Sequence, residues 1–480
     1  MIETSDGKAD FMERAEKVAV GPGREEQELL RLLKAALAGN SDREKINSSG
    51  QTDNINYEKL FAMAQAHQVL PLLYDVLETA AHEETGEAPE TAAHEETGEA
   101  PETAAHEEVG EAPETAAHEE VGETPECMVA WRTVWQQAAR RTVSQNYHLL
   151  FTGKFLTGLL READIPVALL KGTATSAYYP VPELRKSGDV DLYLLKEGDL
   201  PKARALFLAH GMTVKEEQHS PHHLVMQTAE GIVVELHTLI AEPFDNAAMN
   251  TYLEKCRELF AAHTEEKEIM GVTLPVLTGA CHAYELLLHM LQHFLRAGFG
   301  LKLLCDWVVF WEKGVSGEEQ QLYKKLIAES GLKGFSDVVT ATCVEYLGLP
   351  EESVSFLKSG PKEDTAEVFG KGVRTAGDTL QTAFLRDVLD SEEFGKTSED
   401  RMVAVRGSGF GAYTREFQHQ MHLNFPQAGK CFLLWPLLWC MTLVRFLRNN
   451  RKIRHTSVRA VLRNAKARGE LVKRLSLFEK

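Results

Sequence analysis

The spacing of apolar residues changes from helical to strand-like at about residue 165 and returns to helical spacing further along the chain. On either side of this block, apolar residues recur every three or four positions, as on one face of a helix. Inside it, short apolar segments predict strands at 166–170, 190–195, 212–216, 223–227 and 232–237, with a helix at 201–210. The pattern therefore predicts an α+β fold, with a small mixed-sheet core embedded in N- and C-terminal helices.

Composition divides the rest of the chain. Pro71 is expected to split the first helical stretch into two helices, because proline lacks a backbone N–H and crowds the preceding turn. The predicted order is a disordered tail at 1–24, N-terminal helices at 25–77, a disordered acidic repeat at 78–126, a long helix at 127–164, the α/β core at 165–240, a helical domain at 241–430, and apolar then basic helices at 431–480.

Residues 78–125 are four tandem copies of the unit ETAAHEETGEAP, with Val109, Val121 and Thr124 as the only departures. The copies hold 16 glutamates and no lysine or arginine, so they account for most of the net charge of −19. The total charge therefore indicates neither a basic nor an acidic substrate. Because the unit has no large apolar residue with which to build a core, we interpret the repeat as a solvated loop insertion, with a binding role as the alternative.

Seven cysteines occur singly, without a CxxC pair. This pattern is typical of thiols in a reducing compartment rather than of disulfides or a zinc site. The N-terminal residues lack the basic start and apolar segment of a secretory signal. We therefore expect a cytoplasmic location.

Three acidic residues stand out in the α/β block. Asp189 and Asp191 flank Val190, so that both carboxylates project from the same face of one strand. Two like charges at close range repel, and a divalent cation with hard oxygen ligands would neutralise them. Glu235 lies in the apolar strand 232–237, where a charge makes sense if that strand runs beside the aspartates. The pattern predicts a Mg²⁺ site, with Mn²⁺ as the alternative ion.

A turn of the kind that binds phosphate precedes the aspartates. Lys171, Gly172 and Thr173 follow the first strand, and a short helix is expected at 174–179. Glycine permits close approach of the backbone to a ligand, and the start of a helix offers free N–H groups to a phosphate. Lys171 and Arg185 could add charged contacts to a triphosphate.

These residues resemble the nucleotidyltransferase superfamily (DNA polymerase beta-like). The wording Leu-Leu-Lys-Gly, Leu-Arg-Lys-Ser-Gly-Asp-Val-Asp-Leu, His-His-Leu and Val-Glu-Leu-His is similar to a branch of uncharacterised bacterial nucleotidyltransferases. The resemblance implies that Asp189, Asp191 and Glu235 are the catalytic and metal-binding carboxylates, and that Gly172 and Thr173 hold the nucleotide phosphates. Two features depart from the superfamily: its usual Gly-Ser is Gly-Thr here, and the gap to Asp189 is longer.

The reaction that this resemblance implies is Mg²⁺-dependent transfer of a nucleoside monophosphate from an NTP, with release of pyrophosphate. The acceptor could be a small molecule, a protein or a nucleic acid. The alternative is a catalytically silent binding or scaffold protein of the same fold, using the acidic repeat and the basic C-terminus as interaction surfaces.

Several histidines have two readings each. His237 shares the face of Glu235, where it could bind phosphate or acceptor, or make a structural hydrogen bond. His222 and His223 are interpreted as polar residues at a strand edge rather than as ligands. His289 and His293 lie four residues apart on a helix and could bind zinc, but packing of that helix against the core is favoured, since Met290 occupies the position of the HExxH glutamate.

The C-terminal segment 431–480 begins with an apolar run that is shorter than the roughly twenty residues that a helix needs to cross a bilayer. From residue 445 onward it carries twelve Lys and Arg against two Glu. Peripheral contact with a membrane and binding of a polyanion are both open alternatives. A buried helix followed by a solvated basic helix is the favoured interpretation.

Overall fold

The structure is a computed structural model that describes residues 22–38, 55–85, 125–216, 223–296, 298–357, 379–391, 418, 421–422, 425, 432–453 and 471–478. The chain forms two compact units. One comprises 31–242 and 253–282 and contains the sheet, and the other comprises 1–30, 243–252 and 283–480. Residues 1–21 of the predicted disordered tail and residues 86–124 of the repeat lie outside the described residues.

The N-terminal part forms the helices α1 (Arg24–Leu37), α2 (Tyr57–Ala66) and α3 (Leu70–Thr85). Asn56 caps α2 by accepting a hydrogen bond from the N–H of Lys59 at 2.9 Å. The helical conformation is interrupted between α2 and α3, where Gln68 has a φ of 57°. Pro71 is the second residue of α3. The split into two helices agrees with the prediction, because proline is tolerated in the first turn of a helix.

The long helix α4 (Pro125–Glu162) lies against the sheet. Its buried face carries Leu149, Leu156 and Leu160. At Gly153 on the same face, a Cβ would make ordinary van der Waals contact with the Leu169 side chain, at 3.5 Å. Helical spacing also favours Phe151 and Phe155 as core positions, but both are more than half exposed because the apolar stripe of the helix runs along the face of Gly153.

The seven strands are β1 (Val167–Leu169), β2 (Val190–Leu194), β3 (Thr213–Glu216), β4 (His223–Gln227), β5 (Val233–His237), β6 (Thr264–Ile269) and β7 (Val272–Leu277). They form one sheet in the order β3-β4-β5-β2-β1-β7-β6. The pairs β2–β5 and β1–β7 are parallel and the other pairs are antiparallel. The mixed sheet confirms the predicted fold class, and β6 and β7 extend it beyond the range 165–240 in which strands were predicted.

The two faces of the sheet differ in polarity. One face presents Val190, Leu192, Val234 and Leu236, which pack into a core with apolar residues of α4 and of α6 (Leu200–Ala209). Side chains alternate along a strand, so the intervening residues of β2 and β5 point to the opposite face. That face carries the polar side chains of Asp191, Glu235 and His237.

The remaining helices are α5 (Lys171–Ser176), α7 (Ala247–Lys255), α8 (Arg257–Ala262), α9 (Gly279–Arg296), α10 (Leu301–Lys313), α11 (Gly317–Ser330), α12 (Lys333–Leu347), α13 (Leu380–Leu389) and α14 (Trp435–Ile453). Buried aromatic rings hold the helical unit together. Trp311 of α10 contacts Tyr323 of α11 edge to face at 5.1 Å and Trp307 at 5.6 Å.

Helix α14 and the turn before it leave most of their large apolar side chains exposed. Phe432, Leu433, Leu437 and Val444 are at least 60% exposed, whereas Leu438 is buried. The favoured interpretation of a buried helix is therefore wrong for the residues of this segment that the structure describes. No helix in the described parts of the chain combines the length and apolar character needed to cross a bilayer.

Candidate active site

Two parallel strands bring the three predicted carboxylates together. The register of β2 and β5 pairs Asp191 with Glu235, and Asp189 lies two residues before Asp191 on the same side of the sheet. One oxygen from each of Asp189, Asp191 and Glu235 lies within 4.8 Å of the others. Asp191 is 3% exposed, and the other two are partly exposed. The three form an acidic cluster that is open to solvent on one side.

Lys171 and His237 partly neutralise this cluster. The Nζ of Lys171 lies 2.7 Å from Oδ1 of Asp191, and Nε2 of His237 donates to the same oxygen at 2.9 Å. Burial by itself raises the pKa of Asp191, but the charge of Lys171 and the hydrogen bond from His237 outweigh it and lower that pKa below its ordinary value. Burial lowers the pKa of Lys171, and Asp191 and Glu235 reverse that effect and raise it. Both groups are therefore ionised at neutral pH.

Glu235 contacts two imidazole rings that are stacked on each other. Its Oε2 is 3.2 Å from Nε2 of His223 and 3.3 Å from Nε2 of His237. The rings lie 4.8 Å apart and 10° from parallel, because His223 of β4 is paired with His237 of β5. Burial raises the pKa of Glu235, but the contacts with the two histidines and the charge of Lys171 lower it further than burial raises it.

The predicted phosphate turn is the first turn of α5. This helix begins at Lys171, three residues earlier than the sequence indicated, and ends at Ser176. Lys171 has a φ of 44°, a left-handed conformation that is uncommon for a residue other than glycine. Gly172 and Thr173 are buried, and the Thr173 carbonyl accepts a hydrogen bond from the Ser176 hydroxyl at 2.7 Å.

Arg185 lies beside Gly172. A Cβ at Gly172 would lie 3.3 Å from Oγ of Ser187 and 3.5 Å from Nη1 of Arg185. Nη1 of Arg185 donates to Oγ of Ser187 at 2.9 Å, and Arg185 is buried. The absence of a side chain at Gly172 thus leaves room for a guanidinium and a hydroxyl beside the start of α5.

Asn146 of α4 fixes the loop that carries Arg185. Its side-chain amide donates to the carbonyl oxygens of Glu183 at 2.6 Å and Arg185 at 2.9 Å. Its Oδ1 accepts from the N–H of Ser187 at 3.3 Å. Sequence reasoning missed Asn146 and Ser187, because a polar residue on a helix and a serine in a loop carry no signal of this contact.

The structure also revises the reading of His223. This residue begins β4, is 8% exposed and contacts Glu235 of the acidic cluster, so it is a buried neighbour of the carboxylates. A signal for it was available: the turn at Glu230-Gly231 lies midway between His223 and His237, so that a symmetrical hairpin pairs them. His222 lies outside the described residues.

The zinc alternative for α9 has no third ligand among the described residues. The rings of His289 and His293 meet edge to face at 4.5 Å. The described clusters of three or more groups that could hold a metal are Asp189–Asp191–Glu235 and His223–Glu235–His237, and neither includes a residue of α9. His282 of α9 lies in the sheet-containing unit, with its Nε2 3.3 Å from the Thr175 hydroxyl.

The donors of the acidic cluster fit a hard divalent cation. Three carboxylates converge from one side, and oxygen ligands of this kind suit Mg²⁺ and Mn²⁺. The three carboxylates repel one another at this distance, and a bound cation would reduce that repulsion.

Comparisons with known proteins agree with the resemblance read from the sequence. Residues 53–348 match the model of a family described as uncharacterised nucleotidyltransferases. No protein with a curated description matches the chain. The chain is also similar, at 16% identity and a TM-score of 0.27, to the crystal structure of an antigenic nucleotidyltransferase-like protein from Paracoccidioides brasiliensis. That match covers 42% of this chain and 92% of the other.

Proposed function

The chain belongs to the family of uncharacterised nucleotidyltransferases, and on that premise we propose that it transfers a nucleoside monophosphate from an NTP to an acceptor and releases pyrophosphate. The proposed reaction depends on Mg²⁺, or on Mn²⁺ in its place. The acceptor is a small molecule, a protein side chain or a nucleic acid, and the proposed location of the enzyme is the cytoplasm.

One observation carries the proposal: the carboxylates of Asp189, Asp191 and Glu235 converge beside the start of α5. Carboxylates for a cation and a cationic loop for phosphate are the two parts that phosphoryl transfer requires. Arg185 and Lys171 supply the positive charge, and Gly172 supplies the space between the loop and the helix.

The proposed roles of the residues follow from their positions. Asp189 and Asp191 would hold the cation, which would supply positive charge to offset the charge that develops on the phosphates. Lys171 and Arg185 contact the phosphate oxygens, with Gly172 and Thr173 beneath them. His237 holds the Asp191 carboxylate in place through its hydrogen bond and could also contact a phosphate.

Glu235 orients the attacking group in this proposal. Its lowered pKa keeps it ionised at neutral pH, which favours cation binding and acceptance of a hydrogen bond from the acceptor hydroxyl. An ionised carboxylate can orient the acceptor hydroxyl and can also take its proton, so the proposal keeps both roles that the sequence suggested.

We also propose that the segment 431–480 contacts an anionic membrane surface. The exposed apolar side chains of α14 favour a membrane over a polyanion, because apolar side chains add nothing to the binding of phosphates. The basic residues that follow in the sequence would add attraction to anionic headgroups.

Label transfer tests the proposed reaction. The full-length protein is incubated with each α-³²P-labelled NTP, Mg²⁺ and a cell extract, and the label is followed into protein, nucleic acid and small-molecule fractions. We expect one fraction to become labelled. In the Asp189→Asn/Asp191→Asn variant, transfer should fall at least about 100-fold, the loss expected when charge stabilisation of a transition state is removed.

Asp164→Asn is the matched control. Asp164 follows α4 with a φ of 56°, a conformation that asparagine also tolerates, so this change removes one carboxylate outside the acidic cluster. The control should transfer label as the wild type does. Absence of label from every fraction, together with equal heats when wild type and double variant are titrated with Mg²⁺-NTP, would reject the proposal in favour of the scaffold alternative.

A further inference from the structure

Two histidines and one glutamate form a second cluster beside the carboxylates. His223 and His237 lie opposite each other on β4 and β5, and both present Nε2 to Oε2 of Glu235, at 3.2 and 3.3 Å. One ligand atom from each of the three residues lies within 4.8 Å of the others. The cluster shares Glu235 with the carboxylate site but differs in its donors, with two imidazole nitrogens in place of two aspartate oxygens.

His223 is buried without a hydrogen bond to either ring nitrogen. It is 8% exposed, and neither Nδ1 nor Nε2 reaches a partner with hydrogen-bond geometry. A buried polar atom without a hydrogen bond is unfavourable, so it marks a place where a further group would be stabilising. The Nε2 atom faces the cluster, and a cation bound there would satisfy it.

A carboxylate lies beside the second ring nitrogen of His223, as is common for metal-binding histidines. Its Nδ1 lies 3.5 Å from Oε1 of Glu242. In metal sites, a carboxylate beside the second ring nitrogen fixes the tautomer and leaves the first nitrogen free to bind the metal. When Nε2 of His223 binds a cation, the proton of the ring lies on Nδ1, beside the Glu242 carboxylate.

From these contacts we propose that His223, Glu235 and His237 form a second cation site, for a transition ion such as Zn²⁺. Imidazole nitrogens suit Zn²⁺, whereas Mg²⁺ prefers oxygen ligands. A cation at this site takes the place of the proton that His237 shares with Asp191. Binding at this site requires no transferase activity, so the inference stands apart from the proposed reaction.

Metal titrations of the full-length protein test the site. Protein freed of metal is titrated with Zn²⁺ and, separately, with Mg²⁺ by calorimetry. His223→Gln should weaken Zn²⁺ binding at least about tenfold and change Mg²⁺ binding less than twofold. Glu242→Gln should weaken Zn²⁺ binding by about tenfold, the usual effect of losing the group that orients a ligand. His148→Gln, which changes an exposed histidine of α4, should bind both ions as the wild type does.

X-ray absorption of the wild type loaded with one equivalent of Zn²⁺ supplies a readout that needs no variant. We expect the outer-shell scattering of two imidazoles and no sulfur ligand. The inference is overturned if the spectrum lacks imidazole scattering or contains thiolate. It is also overturned if folded His223→Gln protein, checked by circular dichroism, binds Zn²⁺ as tightly as the wild type.

Discussion

Lys171 Nζ lies 2.7 Å from Oδ1 of Asp191, the most buried carboxylate of the acidic cluster. The backbone sets up this contact, because the N–H of Leu170 donates to the carbonyl oxygen of Asp191 at 3.1 Å and brings the end of β1 to β2. A cation and the ammonium of Lys171 would thus share one carboxylate. Lys171 can balance the charge of the cluster before a cation binds and contact phosphate afterwards.

Removal of this lysine should separate metal binding from transfer. In Lys171→Met, we expect Mn²⁺ to bind several-fold more tightly, because a positive charge beside the carboxylates is lost, while label transfer falls. Lys202→Met is the control, since Lys202 pairs with Asp199 and its side chain is 70% exposed. Calorimetric titration with Mn²⁺ measures the affinity. An unchanged or weaker Mn²⁺ affinity in Lys171→Met contradicts the prediction.

A methyl group at Gly172 should narrow the phosphate region without unfolding the protein. In Gly172→Ala, the new Cβ meets Oγ of Ser187 at 3.3 Å, so this hydroxyl must shift by a few tenths of an ångström, and it makes ordinary van der Waals contact with Nη1 of Arg185 at 3.5 Å. We expect Mg²⁺-NTP to bind several-fold more weakly and the thermal unfolding midpoint to change little. Gly158→Ala in α4, where a Cβ meets nothing within 4 Å, should leave NTP binding unchanged. Equal NTP affinities in the two variants would refute the assignment of Gly172.

Asn146 should contribute to stability as well as to activity. Asn146→Ala removes the side-chain bonds that fix the loop 183–187 and leaves buried backbone groups unpaired, which should cost about 2–3 kcal/mol in the free energy of unfolding. Tyr147→Phe is the comparison, because its hydroxyl makes one partly buried bond to Glu183 at 3.2 Å and its loss should cost less than about 1 kcal/mol. Denaturant unfolding measures both. Equal losses in the two variants would count against the role given to Asn146.

His67 should make the protein less stable as pH falls. Burial lowers its pKa from 6.5 to about 4. Between those values the unfolded chain binds a proton that the folded chain does not, so the contribution of His67 to stability is complete above pH 6.5 and is lost as pH falls towards 4. The shift corresponds to about 3 kcal/mol. His67→Gln should therefore flatten the stability profile between pH 6.5 and 4 relative to wild type, and parallel profiles would contradict the prediction.

The exposed side chains of α14 should bind lipid. The full-length protein is expected to sediment with vesicles that contain phosphatidylserine, and less with vesicles of phosphatidylcholine alone. Leu437→Ser and Val444→Ser replace exposed apolar side chains and should reduce sedimentation. Leu208→Ser, which changes an exposed apolar residue of α6, should not. The outcome that would oppose the membrane proposal is binding to RNA that is unaffected by Leu437→Ser, without binding to vesicles.

Strands β1 to β5 were predicted from the sequence by their short apolar segments, whereas β6 and β7 were missed. Strand β6 contains Glu265, Glu266, Lys267 and Glu268 in succession, because it lies at the sheet edge and most of its side chains meet solvent. Strand β7 contains Pro275, which removes a ladder donor and argues against a strand in any local reading. Their place in the sheet depends on pairing with β1, which local spacing does not encode.

Some positions in the candidate site could likewise be predicted from the sequence, and others depend on tertiary contacts. The positions of Asp189 and Asp191 on one face follow from the alternation of a strand, and that spacing is visible in the sequence. The neighbouring position of Glu235 depends on the parallel pairing of β2 with β5, and the family resemblance supplied it before the structure did. The contacts of Asn146 and Arg185 join segments about 40 residues apart by side-chain packing, and no periodicity reports them.

The ends of α3 and α4 have a consequence for how the gene can change. Helix α3 ends at Thr85, inside the first copy of the repeat, and α4 begins at Pro125, the last residue of the fourth. Slippage during DNA replication that gains or deletes whole copies would therefore alter chain length in steps of twelve while leaving every residue of both helices in register. Allelic variation in copy number is compatible with an unchanged sheet and acidic cluster.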